Sequence, residues 1–216
     1  RSFKHVRNEL NRLTVDGFRV EILDPPISTE ITNELEAISD DWLRDGGHRE
    51  RAFTLGAFSR EYVSATPVAV VKAANGRVEA FVNIIPSFRG LCGNFDMMRR
   101  RPDSPDGAMD ALIVALVEHF RAAGFRRMAL GMAPLANIEG TGVLQSALRL
   151  LYAHGSATFR FEGIRAFKEK WHPTWEARYL CYRSDVQLPV LAVAVARAGE
   201  LSGGLPKIIP ALPDMR

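Results

Sequence analysis

Cysteine is nearly missing from this chain. The 216 residues contain two, Cys92 and Cys181, too few for a disulfide framework or for a metal site with paired cysteine ligands, and a reducing compartment is the default expectation. Lysine is also scarce. Only five of the 28 basic residues are lysine, at Lys4, Lys72, Lys168, Lys170 and Lys207. The rest are arginine, whose planar fork suits two-point contact with phosphate or carboxylate, although GC-rich coding would produce the same bias. No apolar run reaches the roughly 18–20 residues that cross a bilayer; the longest candidate spans 190–196. His5, His48, His119, His154 and His172 are scattered without metal-ligand spacing. A Walker-type loop, a dinucleotide fingerprint after the first strand and a Gly-x-Ser-x-Gly elbow are all missing. Nucleotide hydrolysis, zinc chemistry and serine-hydrolase chemistry lose ground accordingly.

What is present is ordinary for a globular domain: 47% hydrophobic residues, 25% charged residues and a formal charge of +3. The length suits one large domain or two small ones. The chain begins at Arg1 without Met or a signal-like segment, which reads as a fragment or a processed product.

Helical spacing of Phe3, Val6, Leu10 and Leu13 predicts an amphipathic helix over 1–15, with a basic face on Arg1, Lys4 and Arg12. A strand over 18–23 follows, then a helix capped by Ser28 and running to about residue 43. Two β-rich runs, 67–73 and 78–85, are joined through Asn75-Gly76, a strong hairpin signal. A third strand is expected over 93–98 and a long helix over 107–123, striped by Met109, Leu112, Ile113, Leu116, Val117 and Phe120. Beyond it the pattern predicts a strand at 127–132, a helix at 142–153, a strand at 158–161, a helix at 164–170, a strand at 178–182 and a helix at 188–198. The segment from 203 is expected to be a loose tail. The order implies one α/β (α+β) domain over 1–202, with a mixed sheet and helices on both faces.

Three constellations could carry chemistry. In the 93–98 strand, strict alternation puts Asp96 and Met98 on one face and Met97 on the other. Asp96 and Arg99 would then sit at a strand end beside the N-terminus of the 107–123 helix, where such folds collect anions. The alternative is a structural Asp–Arg pair. Asp110, in the first turn of that helix, suits the helix dipole without any catalytic role. Residues 167–179 crowd Lys168, Lys170, Arg178 and four aromatics together. They form either a cationic site with aromatic walls or tryptophans in the core with lysines passing them.

Five stretches in register resemble one family. They are 95–99, the turn at 105–110, Leu130-Gly131-Met132-Ala133-Pro134-Leu135, Phe161-Glu162-Gly163-Ile164-Arg165 and 167–180. Together they look like the cytosolic C-terminal domain of the phosphatidylglycerol lysyltransferases and alanyltransferases, the multiple peptide resistance factor family, over most of residues 1–183. The resemblance implies a GNAT (acetyltransferase-like) fold, largely antiparallel, as the second of a tandem pair behind a membrane domain. It also implies transfer of lysine or alanine from aminoacyl-tRNA to the glycerol head group of phosphatidylglycerol, at the cytoplasmic face of the bacterial inner membrane. Adding lysine reverses the lipid's charge and repels cationic antimicrobial peptides.

By the same resemblance, Asp96 and Arg99 fall on the family's Asp-x-x-Arg site. Asp96 would hold the aminoacyl α-ammonium or accept a proton, and Arg99 would bind phosphate or steady the oxyanion. Lys168 and Lys170 would hold the lipid phosphate or the tRNA end, with Arg178, Glu139 and Asp110 as further substrate contacts. No cofactor or metal is implied; aminoacyl-tRNA is a co-substrate. No serine or cysteine stands beside a base, so direct attack by the lipid hydroxyl is expected. The acetyl-CoA loop of GNAT enzymes has no clean counterpart before Gly107, and Phe161-Glu162-Gly163 stands where the family more often has Phe-Gln-Gly. An acyl-CoA-dependent N-acetyltransferase, and a non-catalytic module docking its basic first helix on anionic lipid or RNA, are the alternative readings.

Overall fold

The structure, a computed structural model, describes residues 3–45, 50, 56–87, 92–134 and 161–188, with positions 142, 146, 190, 191 and 194 besides. Helix α1 (Lys4–Val15) buries Val6 and Leu13. Its end is fixed by Gly17, whose φ of 83° no other residue adopts cheaply. There the Phe18 and Gly17 amides donate to the Leu13 and Thr14 carbonyls, a Schellman closure. Strand β1 (Arg19–Leu23) leads to α2 (Thr29–Arg44), whose first turn is capped by the Ser28 hydroxyl accepting from the Ile31 amide at 3.3 Å. A short helix, α3 (Arg60–Ser64), follows.

Strands β2 (Val68–Lys72), β3 (Val78–Ile85) and β4 (Asn94–Arg100) complete a sheet in the order β1-β2-β3-β4, every pair antiparallel. Helix α4 (Ala108–Ala122) ends in a second Schellman closure at Gly124, where Phe125 stacks against Phe120 at 5.3 Å. Helix α5 spans Phe161–Glu169, and a 3₁₀ turn spans Asp185–Gln187.

Two cores flank the sheet. On one face Leu112, Ile113, Leu116 and Phe120 of α4 pack on Ala69, Val71, Ala80, Val82 and Ile84. On the other, Leu35 and Ile38 of α2 and Val63 of α3 pack on Val68, Val70, Phe81 and Met97. Strand β2 is buried on both sides, which is why it reads as a continuous apolar run rather than an alternating one. The largely antiparallel sheet with helices on both faces is the fold class expected from the sequence.

Three expectations change. Residues 127–132 form no strand; Met128 makes a single parallel bridge with Gly93, the residue before β4, closed by the Gly93 amide on the Arg127 carbonyl and the Ala129 amide on the Gly93 carbonyl. Residues 178–182 form no strand either: they pair with none of the described strands, and Tyr179 is left 86% exposed. Helix α3 was unforeseen, since five residues are too few to show a period; its signal is the Ser59 hydroxyl capping the Tyr62 amide. The helix expected at 142–153, the strand at 158–161, most of the helix at 188–198 and the tail from 203 lie wholly or largely outside the described residues. No helix among the described residues is long and apolar enough to cross a membrane.

Candidate active site on the bulged strand

Strand β4 does not alternate strictly. Its register against β3 runs Val82 with Met98, then Ile84 with Phe95, so Asp96 and Met97 together oppose Asn83. This is a β-bulge, and one extra residue reverses the facing of everything beyond it. Phe95 and Met98 therefore both pack toward α4, while Met97 enters the opposite core. Asp96 and Arg99 also lie on that α2–α3 face. The expected pairing of Asp96 with Met98 on one face is thus overturned. So is the expected position beside the N-terminus of α4, which lies across the sheet. Without the bulge, residues three apart on a strand would face opposite ways.

The Asp96 carboxylate is half-buried. Both of its oxygens lie 2.8 Å from the Gly56 amide, and Oδ2 also accepts from the Tyr62 hydroxyl at 3.1 Å. A Cβ at residue 56 would stand 2.0 Å from Asp96 Oδ2, so only glycine lets the backbone approach this closely. Burial, and then the Asp96 charge, push the Tyr62 phenol above its usual range.

Arg99 is 4% exposed. Its guanidinium donates to the Ser39 hydroxyl and, at 2.6 Å, to Glu50, and it lies 4.9 Å from the centre of the Trp42 ring. Glu50 in turn accepts from the Phe58 amide at 2.9 Å. Asp96 and Arg99 therefore do not pair with each other. Asp96 holds Gly56 directly, and Arg99 holds Phe58 through Glu50, so together they fasten one segment across the strand.

The remaining candidates lie elsewhere. Asp110, 3% exposed at the start of α4, pairs with Lys170, whose ammonium also lies 5.7 Å from the Phe167 ring and 5.9 Å from the Trp171 ring. Trp171 packs against the α4-side core and Phe3, while Trp175 is 46% exposed, so the two tryptophans divide between the two readings of the aromatic stretch. Lys168 is 9% exposed and donates to the Met132 carbonyl at 2.7 Å; burial lowers its pKa to about 8. Arg178 is exposed and pairs with Glu176 at 3.0 Å. Glu139 lies outside the described residues.

Gly56, Glu50, Tyr62 and Ser39 carry no local sequence signal of their roles, because they reach the site from 34 to 60 positions away. Asn83 was the one visible signal: a polar residue inside the apolar run Phe81-Val82-Asn83-Ile84-Ile85.

A four-stranded antiparallel sheet thus lies between two helical layers, with a carboxylate and a guanidinium brought to one face by a bulge. The chain belongs to the family described as phosphatidylglycerol lysyltransferase, C-terminal, whose model matches residues 1–182. It is 35% identical over 191 residues to the phosphatidylglycerol lysyltransferase of Bacillus subtilis (strain 168), an alignment covering 87% of this chain and 22% of that protein. The enzyme of the same name from Staphylococcus aureus (strain COL) is 32% identical, again covering 87% of this chain and 22% of the relative. The chain thus spans less than a quarter of the length of these relatives.

Two solved structures share the fold. L-PGS from Bacillus licheniformis has a TM-score of 0.77 at 36% identity, covering 90% of this chain and 59% of that one. The C-terminal domain of a putative lysylphosphatidylglycerol synthetase from Agrobacterium fabrum has a TM-score of 0.78 at 33% identity, covering 93% and 60%.

Proposed function

We propose that this chain is an aminoacyltransferase domain that moves an amino acid, lysine or alanine, from aminoacyl-tRNA to the glycerol head group of phosphatidylglycerol. The observation that carries the reading is the family match over residues 1–182. The placement of Asp96, half-buried among hydrogen-bond donors on the bulged strand, supports it. Residues 1–202 form a single acetyltransferase-like domain of a longer protein that includes a membrane domain, working at the cytoplasmic face of the inner membrane.

The reaction is an ester exchange. A lipid hydroxyl attacks the aminoacyl carbonyl, a tetrahedral oxyanion forms, and the tRNA ribose hydroxyl leaves with a proton. Catalysis then rests on placing the hydroxyl against the carbonyl and on fixed dipoles around the developing charge. Asp96 receives the α-ammonium of the aminoacyl group or takes the attacking hydroxyl's proton, with Tyr62 and the Gly56 amide holding its carboxylate in place. Arg99 sets the electrostatics of the same face and anchors the segment over it through Glu50. Lys168, Lys170 and Arg178 supply positive charge toward the phosphates of the two substrates, with Asp110 and Glu139 as companion contacts.

The test expresses the full-length natural protein in a bacterium that lacks lipid aminoacylation, followed by lipid mass spectrometry. A phosphatidylglycerol species heavier by one amino-acid residue is expected, and its mass names the amino acid. Unchanged lipids, with the protein present in the membrane, would overturn the reading.

A further inference from the structure

Asn83 sits in the middle of β3 with no exposed surface, among apolar neighbours. A buried primary amide costs stability unless its polar atoms find partners. Its Oδ1 does: it accepts from the Met97 amide at 2.8 Å. That amide belongs to the bulge, where the β3–β4 ladder is interrupted and a backbone donor would otherwise be buried unpaired. The side chain of Asn83 therefore supplies the acceptor that the backbone ladder no longer offers.

The amide's Nδ2 has no hydrogen-bond partner among the described residues, so the Oδ1 contact is what the buried side chain contributes. The Tyr62 phenol donates to Oδ2 of Asp96, the carboxylate that the bulge presents.

We infer that Asn83 is the positioning residue of the Asp96–Arg99 site: its Oδ1 holds the bulge that brings both side chains to one face. The inference rests on the reading of that face as the aminoacyl-transfer site. It goes beyond that reading by assigning the geometry to a residue that need not touch either substrate.

The test uses the full-length natural protein in membranes with an aminoacyl-tRNA donor and phosphatidylglycerol vesicles, measuring kcat and KM for lipid aminoacylation. Asn83→Leu keeps the volume but removes the acceptor, and is expected to lower kcat by about 100-fold while KM for the aminoacyl donor stays within about threefold. Asn83→Asp restores the acceptor and is expected to recover most of that loss.

Wild-type kcat in Asn83→Leu overturns the inference, as does an Asn83→Asp variant no better than Asn83→Leu. Should Asn83→Leu fail to accumulate, Asn83→Ala takes its place and is expected to show the same loss in kcat at little-changed KM, and wild-type kcat there overturns the inference. Full activity in Asp96→Ala would instead overturn the underlying reading of the face, whatever Asn83 does.

Discussion

On the α4 face, Asp110 and Lys170 neutralise each other beside Phe167 and Trp171. On the α2–α3 face, Asp96 and Arg99 sit three residues apart and ignore each other, each reaching instead for a segment 40 or more positions away in sequence. Both faces hold a carboxylate and a cation, yet the first pair is complete in itself. In the second, the carboxylate's partners among the described residues are neutral donors, an amide and a phenol, with no positive charge among them. A cationic group such as an α-ammonium would gain a charge-assisted contact at Asp96, whereas at Asp110 it would first have to displace Lys170. On the proposed reading the Asp96 face takes the aminoacyl group, while on the other face Lys170 meets a substrate phosphate only by giving up Asp110.

Removing the Asp96 carboxylate should separate the two faces most sharply. Asp96→Ala is expected to lower lipid aminoacylation by about 100-fold or more, the loss typical of a group acting at the reacting centre. The far-ultraviolet circular dichroism of the chain should be unchanged, since the site is only half-buried. Gly56→Ala comes next. The added methyl would overlap Asp96 Oδ2 at 2.0 Å, so the segment or the carboxylate must shift, and a rate loss of about tenfold to 100-fold is expected. Steady-state kinetics should show that loss in kcat; wild-type kcat would mean that the close approach of Gly56 is irrelevant to the chemistry.

Arg99 tests stability and activity together. Arg99→Ala leaves Glu50 without its cation and opens a space beside Trp42 and Ser39, which should destabilise the domain by about 2–4 kcal/mol. Arg99→Lys keeps the charge but not the fork that spans Ser39 and Glu50, and should fall between. Urea unfolding of the three proteins checks the order. Asp110→Asn on the other face removes one charge from a buried pair and should cost about 1–3 kcal/mol, with lipid aminoacylation less affected than by any change at Asp96.

Much of this arrangement was legible before any coordinates. The Asn75-Gly76 hairpin, the Ser28 cap and the stripe on α4 each carry local signals, and each element formed within a residue or two of its expected limits. The facing of β4 was not legible, because alternation is a rule about regular ladders and a bulge breaks it. Asn83 was the clue: a primary amide in an apolar strand implies a backbone group needing its oxygen. Gly56 and Glu50 were hidden for another reason. Their roles depend on long-range contact, and nothing in their neighbours' composition marks them. The stretch expected as a strand at 127–132 makes only the bridge at Gly93, and 178–182 pairs with no described strand, because β-rich composition does not by itself supply a pairing partner.

Lys168 gives the smallest effect and the clearest sign. Burial of its ammonium lowers the folded-state pKa from 10.5 to about 8, so the folded protein holds that proton less tightly than the unfolded chain does. Between about pH 8 and pH 10.5 the unfolded state binds more protons at this site, and stability should rise with pH across that window through Lys168. Below pH 8 both states are charged, and the folded state bears the full cost of burying the ammonium, partly offset by the Met132 carbonyl at 2.7 Å. Other groups titrate in the same window, Tyr62 among them, so the measurable quantity is a difference between two proteins. The melting temperature of the wild type minus that of Lys168→Met should climb from pH 8 to pH 10.5. A flat difference would mean that water reaches the ammonium freely, and that Lys168 stands open to an anion rather than enclosed beside the Met132 carbonyl.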